Sequence, residues 1–269
     1  MPLPNTISVI TICFNNLGEL IHTCKSVDMQ LQAPFEHLII DGSTNNEIKN
    51  YLEQNSGPGF RRWICEPDHG IADAFNKGIQ SAAGNILVML NAGDSFFDEH
   101  TLKTVTSAFD KNGALQWLHG KYKTSRGKQW VIVGNPFKKS NLYKGMRNIC
   151  HQTMFVKKQL HDKHGLYHQA QEISMDYDFL CRIADEPSAF LPVPLVTFAP
   201  GGTSTVNYMK YLREVKEAYQ KYYGPSMALR LWQIRSKFFY RLLHSPVGPF
   251  LYKILTLLKL ENVQSFKAN

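Results

Sequence analysis

The amino-acid sequence predicts an α/β fold with a Rossmann-like, mostly parallel central sheet flanked by helices and a C-terminal helical extension. Short apolar runs alternate with helical patterns through the first half, which is the sequence form of βα units. After Phe97 two extended runs follow one another, as in an antiparallel addition to a sheet. The third observation is charge, because the whole excess of +8 lies after residue 204.

Taken in order, "ISVITIC" (Ile7 to Cys13) is rich in β-branched residues and ends at Asn15 and Asn16, both good helix N-caps. A helix to about Gln30 follows. "EHLIIDGS" is a second strand leaving the core at Asp41 and Gly42, with a helix from about Asn46 to Gln54. "RRWICE" is a third strand, ending at Glu66. In "PDHGIADAFNKGIQSAAGN", Ile71, Ala74, Phe75, Gly78 and Ile79 recur at helical spacing, and Gly84 closes that helix. "LVMLNAGDSFF" is a fourth strand that leaves the core at Asn91. A helix from about Glu99 to Lys111 leads to the hairpin "LQWLHGKYKT" and "KQWVIVG". "NPFKKSNLYKGMRN" reads as a mobile loop over the site. "CHQTMFV" resumes a strand, "SMDYDFLCRIA" opens a helix, and the prolines of "AFLPVPLVTFAP" put it on a sheet edge.

The 269 residues allow one large α/β domain or a domain with an appendage, and 43% hydrophobic with 12% aromatic content describes a folded protein. Five scattered cysteines with no CxxC pair point to a reduced cytoplasmic compartment and away from zinc. The N-terminal stretch has no basic n-region, and "FLYKILTLLKL" is short and broken by Lys253 and Lys259. Neither an exported form nor a membrane span is expected. Residues 205 to 269 hold eleven Lys and Arg against three Glu, whereas the first 204 residues carry nineteen of each sign. The expected division is therefore a catalytic domain over 1–204 and a basic amphipathic tail over 205–269. Along Met227 to His244 a stripe of Arg230, Gln233, Lys237, Arg241 and His244 stands beside aliphatic and aromatic bulk, as in a helix lying on an anionic membrane surface. The alternative is a helix packed on the catalytic domain or on a second subunit in a homo-oligomer. No nucleic-acid motif accompanies the charge, so no nucleic-acid partner is expected.

Asp41, Glu66 or Asp68, and Asp94 all fall at or just beyond strand C-termini, the edge where open parallel sheets bind ligands. With Lys77 between them, they suggest a polyanionic ligand and a divalent metal. Neither GxxxxGK[ST] nor a GxGxxG after the first strand is present, so this is not a P-loop enzyme or an ordinary dinucleotide binder.

"SVITICFNN", "IIDGST", "EPDHGIADAFNKGI", "LNAGDS", "HQTMF" and "MDYDF", in this order from Ser8 to Ser204, resemble a family 2 glycosyltransferase of the GT-A fold, similar to bacterial exopolysaccharide and colanic-acid-type enzymes. The resemblance implies that Thr11 and Asp41 hold the base and ribose of a sugar nucleotide, preferably a UDP-sugar. Asp68, Asp73 and Lys77 then lie near the ribose and diphosphate. Asp94 matches the last acid of the family's metal-binding DxD-type motif, for Mn²⁺ or Mg²⁺. Asn91 and Gly93 stand where Asp is often found, which implies a substrate-dependent metal site. Asp176 matches the general base of an inverting transfer to a glycan hydroxyl, and Asp178, two residues on, faces elsewhere on a helix. His151 is a weaker assignment as an acceptor or site-closing residue. "GGTS" (Gly201 to Ser204) resembles a segment that closes the site. The implied setting is surface-polysaccharide synthesis on a lipid-linked acceptor, by a cytoplasmic enzyme peripheral to the inner face of the membrane.

Simpler readings stand beside these. Asp41 can be a turn residue, Asp94 a helix cap, Asp176 an acid at a helix dipole, His151 a structural histidine and Lys77 a solvated helix face. His119, His161, His164 and His168 show no ligand spacing. Two other functions compete: a nucleotidyltransferase, which needs a Gly-rich basic loop where "CFNNLGEL" stands, and a non-catalytic sugar-nucleotide binding protein.

Overall fold

The computed structural model describes residues 5–126, 129–147, 149–198, 207–246 and 248. Among the described residues nine strands form one sheet in the order β3-β2-β1-β4-β8-β6-β9-β5, with β7 pairing β6. β1 (Ile7–Cys13), β2 (Glu36–Asp41), β3 (Arg61–Cys65) and β4 (Ile86–Met89) are mutually parallel. The helices between them are α1 (Leu17–Asp28), α2 (Glu47–Gln54) and α3 (Ile71–Ser81). Every exit from this half of the sheet therefore opens on one edge.

The second half is mixed. β6 (Trp117–Arg126) and β7 (Gln129–Val133) form the expected hairpin, and β8 (Phe155–Lys157) joins β4 to β6 by antiparallel pairing. β9 (Ser188–Phe198) runs parallel to β6, with its register shift beside Pro194. Its Val196 and Thr197 also pair with β5 (Ser95–Phe96). The edge expected for this segment is thus confined to its proline-bearing half. α4 (Thr101–Lys111), α5 (Lys158–His164) and α6 (Met175–Arg182) flank the sheet.

Side chains alternate across the strands with the two-residue period. Ile10, Leu38 and Ile40 pack with Phe75 and Ile79 of α3 and with Tyr177 and Phe179 of α6. Val9, Ile86 and Val88 pack on Leu102, Val105 and Phe109 of α4.

Several local expectations change. α3 stops at Ser81 because Ala82 is already extended, so Gly84 lies in the turn beyond and does not cap it. "CHQT" is a 3₁₀ turn, His151–Thr153, ahead of a three-residue strand. The segment read as a mobile loop contains a 3₁₀ helix, Lys139–Lys144, pinned by buried Leu142, whose carbonyl accepts from Tyr177 Oη at 2.7 Å.

Part of the segment grouped by its charge as a tail packs on the sheet. α7 (Tyr208–Tyr223) contributes Val215 and Ala218 to the core that holds Ile10 and Phe75. α8 (Met227–Leu243) follows it. Among the described residues no helix is long and apolar enough to cross a membrane.

Candidate active site

At the edge where β1 to β3 end, Cys13, Asp41 and Cys65 stand in register. Asp41 Oδ1 accepts hydrogen bonds from Ser43 N at 3.0 Å and from Ser43 Oγ at 2.5 Å, which closes the turn after β2. Gly42 follows, and a Cβ added there would overlap Asp68 Oδ2. The Asp68 carboxylate is therefore laid directly on the backbone after Asp41. Its Oδ1 accepts from Gly70 N at 2.9 Å, in front of α3.

Asp73 and Lys77 share one face of α3, four residues apart. Asp73 Oδ2 accepts from His69 N at 3.0 Å and Oδ1 from Gln169 Nε2 at 2.9 Å. Lys77 Nζ donates to Pro67 O at 2.5 Å, and lies 3.0 Å from Glu66 and 3.7 Å from Asp73. Burial works against its charge, but Glu66, Asp73 and Asp68 outweigh that and raise its pKa. Lys77 is accordingly a fixed cation among four acidic or carbonyl groups and not a free solvated face.

Thr11 is the exception among these residues. It is fully buried, and its Oγ1 lies 2.9 Å from His37 Nε2. Arg61 Nε donates to His37 Nδ1 at 3.3 Å, which leaves Nε2–H to donate to Thr11. The Thr11 hydroxyl, expected on the nucleotide, is thus buried in the strand and engaged by His37. The open aromatic face at the end of β1 belongs to Phe14, which is exposed.

Asp94 follows β4 in a tight turn. Its N–H donates to Asn91 O at 3.0 Å, and Gly93 between them takes φ +97°, a left-handed backbone that favours glycine. β5 follows immediately, and His100 stands at the N-terminus of α4, so Asp94 is not a helix cap. The residue is 3% exposed, and its Oδ2 accepts from Gln152 Nε2 at 2.8 Å. Asn91 Oδ1 is buried with no hydrogen-bond partner.

Asp176 lies in the first turn of α6, where its Oδ2 is 3.3 Å from His151 Nδ1. His151 and Gln152 are consecutive in one 3₁₀ turn, so a single turn touches both carboxylates. Cys150 fastens this turn, its Sγ donating to Gln152 Oε1 at 2.6 Å. Burial, then the charges of Asp94 and Asp176, push the Cys150 thiol well above its ordinary range. His151, Met89, Met154, Tyr167, Asp176 and Phe179 line a small cavity at this place. Asp178 is buried against Arg182 Nε at 3.1 Å, His168 Nδ1 at 3.0 Å and Tyr222 Oη, which makes it structural.

Two residues were not identified from the sequence as part of this arrangement. Gln152 stands inside "HQTMF", but its partner Asp94 is 58 residues away. Glu214 of α7 accepts from Ile173 N and Ser174 N, both at 2.9 Å, and so holds the N-terminus of the helix that carries Asp176. The "GGTS" segment lies outside the described residues.

Among the described residues no group of three or more His, Cys, Asp or Glu is arranged to hold a metal. Asp94 with the unpartnered Asn91 Oδ1 is an all-oxygen donor pair. Such a pair fits a hard cation that takes its remaining ligands from substrate phosphates and water.

The profile of glycosyl transferase family 2 matches residues 8–165. An uncharacterized glycosyltransferase of Mycobacterium tuberculosis is 35% identical over 66% of this chain and 69% of its own length. A PGL/p-HBAD biosynthesis glycosyltransferase of Mycobacterium bovis is 29% identical over 64% and 68%. Two solved structures share the fold. S. aureus TarS, in complex with UDP-GlcNAc, matches with a TM-score of 0.60 and 14% identity, over 93% of this chain and 76% of its own. The mannosyltransferase PcManGT of Pyrobaculum calidifontis, in complex with GDP-Man and Mn²⁺, matches with a TM-score of 0.61 and 14% identity, over 98% and 83%. The architecture is that of the GT-A glycosyltransferases.

Proposed function

The chain belongs to glycosyl transferase family 2, and from that premise we propose that it transfers a sugar from a UDP-sugar to a hydroxyl of a glycan acceptor, with inversion at the anomeric carbon. The observation that carries this reading is the His151–Gln152 turn, which touches the carboxylates of Asp94 and Asp176 with adjacent side chains.

Asp41 and Asp68 are the groups for the ribose, with Asp73 and Lys77 toward the diphosphate. Lys77 is held charged beside that position by Glu66 and Asp73. Asp94, with Asn91, would hold Mn²⁺ or Mg²⁺, which supplies charge neutralisation for the leaving nucleoside diphosphate. Asp176 takes the proton of the acceptor hydroxyl as its oxygen attacks the anomeric carbon from the face opposite the diphosphate. His151 Nδ1, 3.3 Å from Asp176 Oδ2, positions the base. UDP-GlcNAc and GDP-Man bound to the two structural relatives support a nucleoside-diphosphate donor. The acceptor is a lipid-linked glycan of the cell surface, modified at the inner face of the membrane, and residues 1–204 with α7 are the catalytic unit.

The test is release of nucleoside diphosphate from a panel of UDP- and GDP-sugars in the presence of Mn²⁺ or Mg²⁺. At least one donor is turned over by the natural chain, and Asp94→Ala abolishes that turnover. Full activity after loss of Asp94 overturns the assignment, and pyrophosphate release from a nucleoside triphosphate would favour a nucleotidyltransferase instead.

A further inference from the structure

α8 has its amphipathicity reversed. The side chains turned inward are Leu229, Gln233 and Ser236, and Gln233 Nε2 donates to Leu212 O of α7 at 2.8 Å. The side chains turned outward are Met227 at 66%, Leu231 at 60%, Ile234 at 58% and Phe238 at 59% exposed. Gln233, expected in the basic stripe, is buried, and the aliphatic bulk expected to face a membrane or a packing partner is exposed. At about 100° per residue, the four exposed apolar positions fall within roughly 60° of arc, opposite the buried three. Arg230, Lys237 and Arg241 flank the stripe on one side and Arg235 on the other, and no acid occurs anywhere in the helix.

We propose that this face of α8 is a docking surface for an anionic lipid bilayer, with Met227, Leu231, Ile234 and Phe238 entering the headgroup boundary and the flanking cations meeting lipid phosphates. An apolar stripe bordered only by cations is the composition of a helix lying in a membrane interface. A two-fold pairing of the same face in a second copy would set Arg230 and Arg241 against like charges, so the charge pattern fits a negative surface better than itself. α8 is also joined to the helix that carries Asp176 through one intervening segment. Trp232 of α8 packs edge-on against Tyr143 at 6.4 Å, in the 3₁₀ helix whose Leu142 carbonyl is held by Tyr177 of α6. The proposal rests on the reading that the acceptor is lipid-linked, but its test measures binding and not transfer.

The full chain is sedimented with vesicles of phosphatidylcholine alone and of phosphatidylcholine mixed with phosphatidylglycerol, at low and high salt. The expected result is binding to the phosphatidylglycerol vesicles at low salt and release at high salt, with little binding to phosphatidylcholine. The triple variant Leu231→Ser, Ile234→Ser, Phe238→Ser is expected to bind at least about tenfold more weakly, with donor turnover and monomer mass unchanged. Three results overturn the proposal. The natural chain ignores anionic vesicles, or the triple variant binds them as well as the natural chain does. In the third, the natural chain is a dimer that the triple variant dissociates, which assigns the face to a second copy.

Discussion

Asp94 and Asp176 were both legible as single letters, because an acid at a strand exit and an acid opening a helix are unusual places to leave charge. Their mutual arrangement was not legible. It depends on a 3₁₀ turn that reaches Asp94 across 58 residues and Asp176 across 25, and no local pattern encodes such a contact. The partner of Thr11 was likewise not legible: its place in the strand is plain from the sequence, but that its buried hydroxyl meets His37 of the neighbouring strand is not. Gly42 yields the residue-scale prediction. Because an added Cβ would overlap the Asp68 carboxylate, Gly42→Ala must push Asp68 off the backbone of the β2 turn. Donor affinity, measured by calorimetry, is expected to fall about tenfold, or roughly 1.4 kcal/mol. Thermal stability is expected to change little, since the group displaced is the end of one side chain and not backbone.

The parallel half of the fold was readable element by element, since each strand is a β-branched or aliphatic run and each helix shows its 3.6-residue stripe. The second half was less so, because β5 and β8 are only two and three residues long and owe their pairing to neighbours rather than to their own sequence. α7 illustrates the limit of composition. Its charge grouped it with the tail, yet its buried Glu214 carboxylate caps α6 with backbone hydrogen bonds from Ile173 and Ser174. A carboxylate at a helix N-terminus is favoured by the helix dipole and by those charge-assisted bonds. Glu214→Gln is therefore expected to cost about 2 kcal/mol of stability in urea unfolding. It is also expected to lower sugar transfer while leaving donor affinity intact, because α6 carries Asp176 and none of the nucleotide-side residues. Equal loss of donor affinity would show that α6 does not act separately from the nucleotide side.

For the whole molecule, three buried histidines set the acid limit of stability. Burial holds His37 down to about 3, reinforced by Arg61, and His119 down to about 4. His161 is held down to about 3 by burial and then by Arg182. In the unfolded chain each would titrate near 6.5. Their folded values are depressed, so below about pH 6.5 the unfolded state takes up protons that the folded state refuses. Their contribution is complete above that pH and is lost as pH falls toward 4, with a slope of up to about 4 kcal/mol per pH unit for the three together. Urea midpoints should begin to fall steeply below pH 6.5. A midpoint that stays level down to pH 4.5 would contradict the buried neutral state of these rings.

At the same scale, the catalytic account depends on one division of labour: the nucleotide is held by the edge of the parallel half, and the acceptor proton is taken by Asp176 from the helix across it. The most direct measurement compares Asp176→Asn with the natural chain, using whichever donor is turned over. Calorimetry gives donor affinity, and proton NMR gives the anomer of the first sugar product formed from an α-linked donor. The account predicts a β-configured product from the natural chain. For Asp176→Asn it predicts unchanged donor affinity and transfer lowered by about 10²–10⁴-fold. Transfer at the original rate, loss of donor binding, or an α-configured first product would contradict it.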